Sequence, residues 1–258
     1  MTSRFVVYVA TGQLCIDEAL LNASITRNYI GPNLLCIVTD SESIKSNNLG
    51  IFDIVIEHPA PTFSYRDKIT GLLSVPFGNI LYLDADAKLI YTPECLFALL
   101  DSFDFAACHA PVRHPPGWSD PEVPQTFPEL NSGVLLLSAP VISLPLLSDW
   151  LVLYDQLFSQ YGQNWDQASL RSILWKYLKC KSLRQYVLPP EANLRTSKPW
   201  IAGRGQPVYV LHGRFNANET QPLIDFLNND IDRHRSCFEW IDLNPSTTIR
   251  PRFDKTYS

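Results

Sequence analysis

Two aspartates, two residues apart, have the type and spacing of metal ligands. Asp84 and Asp86 directly follow Ile80–Leu83, an apolar run typical of a buried strand. On extended backbone, residues i and i+2 point to the same side, so both carboxylates can face one hard divalent cation. Open α/β sheets bind ligands at the carboxyl ends of their strands, which favours a metal site over turn or capping carboxylates. A second Asp-x-Asp, Asp230 and Asp232, is predicted at a polar helix end and interpreted as a solvated face.

A polar tripeptide precedes another strand-like run. Asn131, Ser132 and Gly133 lead into Val134–Leu137. At a strand entrance, a glycine and an amide side chain can approach a sugar hydroxyl closely. Asn, Ser and Gly are also the usual turn formers, and on these residues alone an ordinary turn is the better interpretation.

Two more segments offer polar groups at element ends. The sequence NWDQ opens a predicted helix, where Asp166 and Gln167 are most simply explained by an N-terminal cap, a role compatible with a site. His212 ends the last predicted strand and is followed by Gly213 and Arg214. A neutral imidazole is a ligand for Mn²⁺, and Gly-Arg lets a guanidinium approach a diphosphate. A lone histidine at a strand end is more often structural.

The composition excludes several classes of protein. With 258 residues, 46% of them hydrophobic, the chain can bury a large core and is not a disordered protein. A net charge of −5 gives no bulk attraction to nucleic acid. The six cysteines are too far apart in sequence for CxxC redox pairs or clustered zinc ligands, so we expect buried thiols and a reducing, cytoplasmic location. We expect no signal peptide and no transmembrane segment, since no stretch reaches about 18 apolar residues.

Short apolar runs alternate with helical segments, which predicts an α/β fold with a mostly parallel sheet covered by helices on both faces. The predicted strands are Arg4–Ala10, Leu34–Val38, Ile51–Ile56, Ile80–Leu83, Phe105–Cys108, Val134–Leu137 and Pro207–Leu211. The predicted helices are Asp17–Tyr29, Ser64–Ser74, Pro93–Leu100, Val141–Tyr161 and Asp166–Leu178.

A proline-rich stretch divides the chain. Pro111–Pro128 holds six prolines, so it is predicted to lack regular structure and to form an active-site loop. It separates a front half, 1–110, from a back half, 129–243, within one domain, 1–243. Residues 244–258 are polar and are predicted to fray.

The order of these motifs resembles a known family. YVATG, KITGLLSVPFGNILYLDADAKLI, LNSGVLLLS, WDQASL and VYVLHGR are similar to the sequential motifs of GT-A glycosyltransferases, closest to the glycogenin-like members of glycosyltransferase family 8. The resemblance spans about residues 4 to 216. It implies a GT-A (Rossmann-like) catalytic domain whose front half binds the nucleotide and whose back half binds sugar and acceptor.

The resemblance also implies a set of site residues. Asp84, Asp86 and His212 match the family's ligands for Mn²⁺ (or Mg²⁺), and Asp166 and Gln167 match its Asp-Gln pair beside the donor sugar, expected here to be catalytic. Lys68 matches the basic residue on the helix before the Asp-x-Asp strand, with Arg66 as a near alternative. The implied donor-binding residues are Ala10, Thr11, Lys68, Asp84, Ala85, Asn131, Ser132, Gly133, Gly213, Arg214 and Lys198.

The sequence departs from the family pattern in two places. Family members commonly end in HxxGxxKPW, whereas here His212 is followed directly by Gly213 and Arg214, and Lys198 lies upstream. The diphosphate cation is therefore expected to be Arg214, with Lys198 as second choice. In the first loop, Leu14 and Cys15 stand where a uracil-stacking tyrosine is common.

The resemblance implies metal-dependent transfer of a sugar from a nucleotide sugar, expected to be a UDP-sugar, to an acceptor that the sequence does not identify, with retention of configuration. A retaining enzyme would place Asp166 or Gln167 under the anomeric carbon, and an inverting one would need a carboxylate base. Two alternatives stay open. A sugar-phosphate nucleotidyltransferase would need a glycine-rich loop where ATGQLC stands. A non-catalytic nucleotide- or sugar-binding protein would share the fold without needing the metal ligands.

Overall fold

A computed structural model describes residues 2–76, 78–139 and 145–252 of the protein. The start of the helix predicted at Val141–Tyr161 and the end of the predicted tail lie outside these residues. The strands are β1 Arg4–Val9, β2 Leu34–Thr39, β3 Ile54–Glu57, β4 Asn79–Leu83, β5 Ala87–Leu89, β6 Phe105–His109, β7 Leu130–Leu137, β8 Gln185–Val187, β9 Leu194–Arg195, β10 Ile201–Ala202, β11 Val210–His212 and β12 Arg235–Ser236.

The helices lie between these strands or follow them. They are α1 Gln13–Thr26, α2 Ser41–Ser46, α3 Arg66–Leu73, α4 Glu94–Ala98, α5 Leu146–Tyr161, α6 Asp166–Lys179, α7 Ala217–Asn228 and α8 Cys237–Leu243. Two short 3₁₀ turns cover Leu99–Asp101 and Pro190–Ala192.

The central sheet has seven strands in the order β3-β2-β1-β4-β7-β6-β8. β3, β2, β1 and β4 are parallel, as the alternation of strands and helices predicts. β7 runs antiparallel to both of its neighbours, β4 and β6. The fold is therefore α/β with a mixed, mostly parallel sheet, and the predicted fold class is confirmed.

Helices cover both faces of this sheet. On one face, Ile69 of α3, Trp150 of α5 and Leu170 of α6 share a buried cluster with the strands. On the other face, Ile16 and Ala19 of α1 belong to a second buried cluster. A third cluster joins the small sheets around β9–β12 to α7 and α8. Because α3, α5 and α6 pack on one face, their residues can meet at the end of β4.

Several predicted boundaries differ from the structure. α1 begins at Gln13, four residues before the predicted Asp17. β7 begins at Leu130, not Val134, so Asn131, Ser132 and Gly133 lie inside a strand. The turn expected at these three residues is wrong, because pairing of Leu130 with His109 of β6 extends the strand and outweighs their local turn preference.

The last described residues pack instead of fraying. Ile249 is buried, and the indole of Trp240 donates to Thr247 Oγ1 at 3.1 Å. The backbone N–H of Arg252 donates to the carbonyl of Ser197 at 3.3 Å. The expectation of a frayed tail is therefore wrong for residues 244–252, because a buried isoleucine and these hydrogen bonds hold the segment.

The cysteines are less buried than expected. All six are free, but Cys15, Cys95 and Cys180 are exposed, while the other three are buried. The expectation of six buried thiols is wrong for half of them, because composition and spacing do not fix which side of an element each one occupies. The cytoplasmic location stays a prediction. No helix in the described part of the chain is long and apolar enough to cross a membrane.

Candidate active site

Three side chains that could hold a metal ion meet at the carboxyl end of β4. One ligand atom each from Asp84, Asp86 and His212 lies within 4.8 Å of the other two. β11 pairs with β5 so that His212 lies opposite Ala87, next to Asp86. His212 is buried, and its Nε2 lies 3.1 Å from Asp86 Oδ1. Two carboxylates and an imidazole suit a divalent cation.

A glycine makes this close approach possible. The backbone N–H of Asp84 donates to the carbonyl of Gly133 at 2.8 Å. A Cβ on Gly133 would lie 2.5 Å from both Asp84 Oδ2 and His212 Cε1, which is too close for any side chain. Asp84 and His212 both pack against the Cα of Gly133. This close packing, rather than a turn, requires a glycine at position 133.

A buried lysine bridges two carboxylates beside this group. Lys68 Nζ lies 2.9 Å from Asp166 Oδ2 and 3.1 Å from Asp84 Oδ1, and it donates to Ser132 Oγ at 2.9 Å. Burial alone would lower the pKa of Lys68, but the charges of Asp166 and Asp84 outweigh it and raise that pKa. Lys68 therefore stays protonated and holds α3, β7 and α6 around the end of β4.

Asp166 stands at the start of α6 but does not cap it. The N-cap residue is Trp165, and it makes no side-chain capping bond. Asp166 Oδ2 instead accepts from Lys68 and, at 2.6 Å, from Ser132 Oγ. The indole of Trp150 donates to the Asp166 carbonyl at 3.1 Å and fixes the helix start. The predicted capping role is wrong, because a buried ammonium is the stronger partner for this carboxylate.

Gln167 is held by contacts within the protein. Its Oε1 accepts from Asn131 Nδ2 at 2.8 Å and from the backbone N–H of Ser132 at 3.1 Å. These bonds occupy both lone pairs of the oxygen, so only Nε2 can meet a ligand. That Nε2 lies 3.4 Å from Glu129 Oε2. Glu129 is fully buried, and burial raises the pKa of its carboxyl to about 7.

The electrostatics keep Asp86 charged. Burial alone would raise the pKa of Asp86. The hydrogen bond and charge of His212, together with Arg214 and Arg195, instead lower it below the usual range of an aspartate. Asp86 therefore remains an anionic ligand candidate near neutral pH.

These groups line one cleft of about 890 Å³. The predicted site residues that line it are Thr11, Lys68, Asp84, Ala85, Asp86, Asn131, Ser132, Asp166, Gln167, His212 and Arg214. The predicted residues that do not line it are Ala10, Gly133, Gly213 and Lys198.

The known structures that this chain resembles share its fold at low sequence identity. Mouse xyloside xylosyltransferase 1 is 16% identical, with 84% of this chain and 98% of that chain covered and a TM-score of 0.50. An active-site mutant of the galactosyltransferase LgtC is 14% identical over 85% of this chain and 94% of that one, with a TM-score of 0.55. The glycosyltransferase GlyE of Streptococcus pneumoniae is 16% identical over 76% of this chain and 48% of that one, with a TM-score of 0.52.

The protein has the GT-A fold. No protein-family model and no curated protein matches the sequence. The resemblance to family 8 within the GT-A proteins therefore stays a prediction.

Arg214 lies at the rim of this GT-A cleft. Its side chain is 72% exposed, its guanidinium forms an ion pair with Glu18 of α1, and its Nη1 lies 3.9 Å from Asp86 Oδ2. Arg195 also lines the cleft, opposite His212 in the pairing of β9 with β11. The Nε of Arg195 is buried and has no hydrogen-bond partner among the described residues. The sequence did not point to Arg195, because nothing in its spacing separates it from other surface arginines.

Two further residues at the site were missed. Tyr82 donates its hydroxyl to Asp84 Oδ1 at 2.7 Å, and its position two residues before Asp84 on the same strand could have predicted this. Asn193 Oδ1 lies 2.8 Å from His212 Nδ1. Asn193 lies 19 residues from His212 in an irregular segment, so no periodicity points to it.

The proline-rich loop is not part of the cleft. No residue of Pro111–Pro128, all of which are described, lines it. Arg171 donates to the carbonyls of Phe127 and Pro124, and Gln163 Nε2 donates to two further carbonyls of the loop. The loop therefore lies outside this cleft, where buried side chains of α6 and of the segment before it hold it, and its role as an active-site loop stays a prediction.

We expect Lys68→Met to destabilise the fold by about 3 kcal/mol, because it leaves the partners Asp84 and Asp166 without their cation. The matched control is Arg66→Met on the same helix, which removes a half-exposed pair with Asp155 and should cost under about 1 kcal/mol. Urea unfolding of both variants measures the difference. Equal losses would show that the Lys68 pairs contribute no more than a surface ion pair.

Proposed function

We propose that the protein is a metal-dependent glycosyltransferase that moves a sugar from a UDP-sugar to an acceptor with retention of configuration. The observation that carries the proposal is the gathering of Asp84, Asp86 and His212 beside Lys68, in the cleft of a GT-A fold.

The donor set favours Mn²⁺ as the metal. Mg²⁺ prefers oxygen ligands, whereas a site with one imidazole among carboxylates also suits Mn²⁺. Asp84, Asp86 and His212 would hold the ion. When bound, it would offset the negative charge that develops on a leaving nucleoside diphosphate. Arg195 and Arg214 add positive charge at the same end of the cleft.

The partners of the acidic side chains support retention. An inverting transferase needs a carboxylate that is free to take the acceptor proton. Every carboxylate that lines the cleft among the described residues already has a strong partner. These carboxylates are Glu18 with Arg214, Asp67 with Thr11 and Thr62, Asp84 with Lys68, Asp86 with His212, Asp155 with Arg66 and Asp166 with Lys68.

An exposed phenylalanine supports a nucleobase site. Phe63 lines the cleft with 65% of its surface exposed, and its ring lies against Gly12 in the loop after β1. Asp67 accepts from the backbone N–H of Phe63 at 2.7 Å and from Thr11 Oγ1 at 2.7 Å, which joins the two loops. Phe63 would therefore supply the stacking surface that the first loop lacks.

The first test is metal dependence. With Mn²⁺ and a panel of UDP-sugars, we expect the protein to release UDP, and we expect Asp86→Asn to abolish both this release and the Mn²⁺-dependent part of UDP binding measured by calorimetry. Asp232→Asn, in the second Asp-x-Asp, is the matched control and should match the parent. UDP binding without turnover would favour a non-catalytic binding protein, and undiminished metal-dependent binding by folded Asp86→Asn would contradict the site.

The second test concerns the binding of the nucleobase. We expect Phe63→Ala to weaken UDP binding about tenfold, because stacking a base on an aromatic ring contributes roughly 1–3 kcal/mol. Phe158→Ala, which removes a similarly exposed ring of the same cleft, should bind UDP like the parent. Equal affinities of the two variants would show that Phe63 does not contact the base.

The third test concerns Asp166 at the sugar. If its carboxylate stabilises positive charge at the anomeric carbon, Asp166→Asn should lose about a hundredfold or more in kcat. The variant also weakens the pair with Lys68, so kcat is measured well below its melting temperature. Ser169→Ala, which removes a hydrogen bond to the Asp166 carbonyl from a residue that does not line the cleft, controls for lost packing. A parental kcat in folded Asp166→Asn would leave the residue a structural role only.

A further inference from the structure

A row of side-chain amides runs from the buried carboxyl of Glu129 to the imidazole of His212. Gln167, Asn131 and Asn193 lie between them in that order, and all five residues are buried. Asn131 Nδ2 lies 2.8 Å from Gln167 Oε1, Asn193 Nδ2 lies 2.7 Å from Asn131 Oδ1, and Asn193 Oδ1 lies 2.8 Å from His212 Nδ1. None of the three amides is a candidate metal ligand. The hydrogen bonds that join them therefore need a separate explanation.

Two backbone N–H groups of β7 determine which end of each amide is the oxygen and which is the nitrogen. An amide side chain can be turned over, which exchanges its oxygen and nitrogen, but a backbone N–H can only donate. The N–H of Gly133 donates to Asn131 Oδ1 at 3.1 Å, and the N–H of Ser132 donates to Gln167 Oε1 at 3.1 Å. The oxygens of Asn131 and Gln167 must therefore face these donors.

The orientation of the Asn131 amide in turn determines that of the Asn193 amide. Because Asn131 presents its oxygen, Asn193 must meet it with Nδ2; the opposite orientation would bring two oxygens within 2.7 Å in a buried site. Asn193 consequently presents Oδ1 to the imidazole. An oxygen can only accept, so Nδ1 of His212 must carry the proton.

We propose that Asn193 is a positioning residue: it accepts the Nδ1 proton of His212 and so leaves Nε2, which lies 3.1 Å from Asp86 Oδ1, as the nitrogen for a metal ion. Without a metal, Nε2 faces a carboxylate oxygen and can carry a proton as well; a bound ion would displace that proton but not the one on Nδ1. Neutral histidine binds a metal through the nitrogen that carries no proton, and a partner on the other nitrogen fixes which one that is. The proposal rests on the metal site of the proposed function, but the proton on Nδ1 can be measured without metal.

The first experiment measures the Nδ1 proton directly. The parent protein is labelled with ¹⁵N-histidine and freed of metal. The signal of His212, one of five histidines, is assigned by its loss in His212→Gln. We expect Nδ1 to carry a proton, whether or not Nε2 also donates to Asp86. An Nδ1 without a proton would overturn the proposal, whether or not the protein transfers sugar.

The second experiment changes Asn193 and measures Mn²⁺ affinity from the free ion by electron paramagnetic resonance. Asn193→Leu keeps the branched shape and the number of side-chain heavy atoms but removes the acceptor, and we expect about 10–100-fold weaker binding. Asn33→Leu is the matched control, since Asn33 is equally buried and donates to Ile30 and Glu94 away from the cleft. It should lose comparable stability and keep the parental affinity.

A conservative variant separates positioning from packing. Asn193→Asp keeps an oxygen for the Nδ1 proton but loses the donor to Asn131, so it should be less stable and still bind Mn²⁺ at least as tightly as the parent. Affinity in Asn193→Asp as weak as in Asn193→Leu, or parental affinity in Asn193→Leu, would overturn the proposal. If Asn193→Leu does not fold, the Nδ1 proton of the parent and Asn193→Asp decide. A parent that binds no Mn²⁺ would refute the proposed function but not the bond between the Nδ1 proton and Asn193.

Discussion

The buried ammonium of Lys68 is the interaction on which the site depends. Asp84 and Asp166 come from different elements, and without a cation between them the buried carboxylate of Asp166 and the half-buried one of Asp84 would repel each other. Lys68 also donates to Ser132 of β7, so one side chain joins α3, the end of β4, β7 and the start of α6. Its two ion pairs explain why Asp166 is held at the cleft instead of capping its helix.

The charge balance leaves a defined place for one more cation. Lys68 and the hydroxyl of Tyr82 both bind Oδ1 of Asp84, so Oδ2 is the oxygen left on the side of His212. Asp86 faces the same imidazole and is kept ionised by it and by two arginines. The carboxylates of Asp84 and Asp86 therefore both place negative charge beside the imidazole of His212. The charges of the other acidic side chains of the cleft are balanced by their own partners. A divalent ion at that point fits this arrangement, because it can take two carboxylate oxygens and an imidazole nitrogen as ligands.

Local patterns in the sequence predicted what depends on periodicity, whereas contacts made by distant pairing needed the family resemblance or were missed. The strand before Asp84 follows from a local apolar pattern, so the position of the Asp-x-Asp pair at a strand end was predictable. The approach of His212 to Asp86 depends on the antiparallel pairing of β5 with β11, which no local pattern predicts, and only the resemblance grouped His212 with the two aspartates. Arg214 lines the cleft, but its ion pair with Glu18, 196 residues away in the chain, was not predicted, and its place at a diphosphate stays a prediction.

The direction of β7 determines which backbone groups reach the site. In an all-parallel sheet, only strand ends meet at the ligand-binding edge, and chain connections leave from there. Because β7 is antiparallel to β4, its entrance lies beside the end of β4, and a continuous strand starts at the site. The N–H groups of Ser132 and Gly133 are therefore held by the sheet, while Asn193 lies between the 3₁₀ turn Pro190–Ala192 and the two-residue strand β9. The backbone of β7 consequently sets the orientation of the amides of Asn131 and Gln167, and Asn131 in turn sets that of Asn193 beside His212.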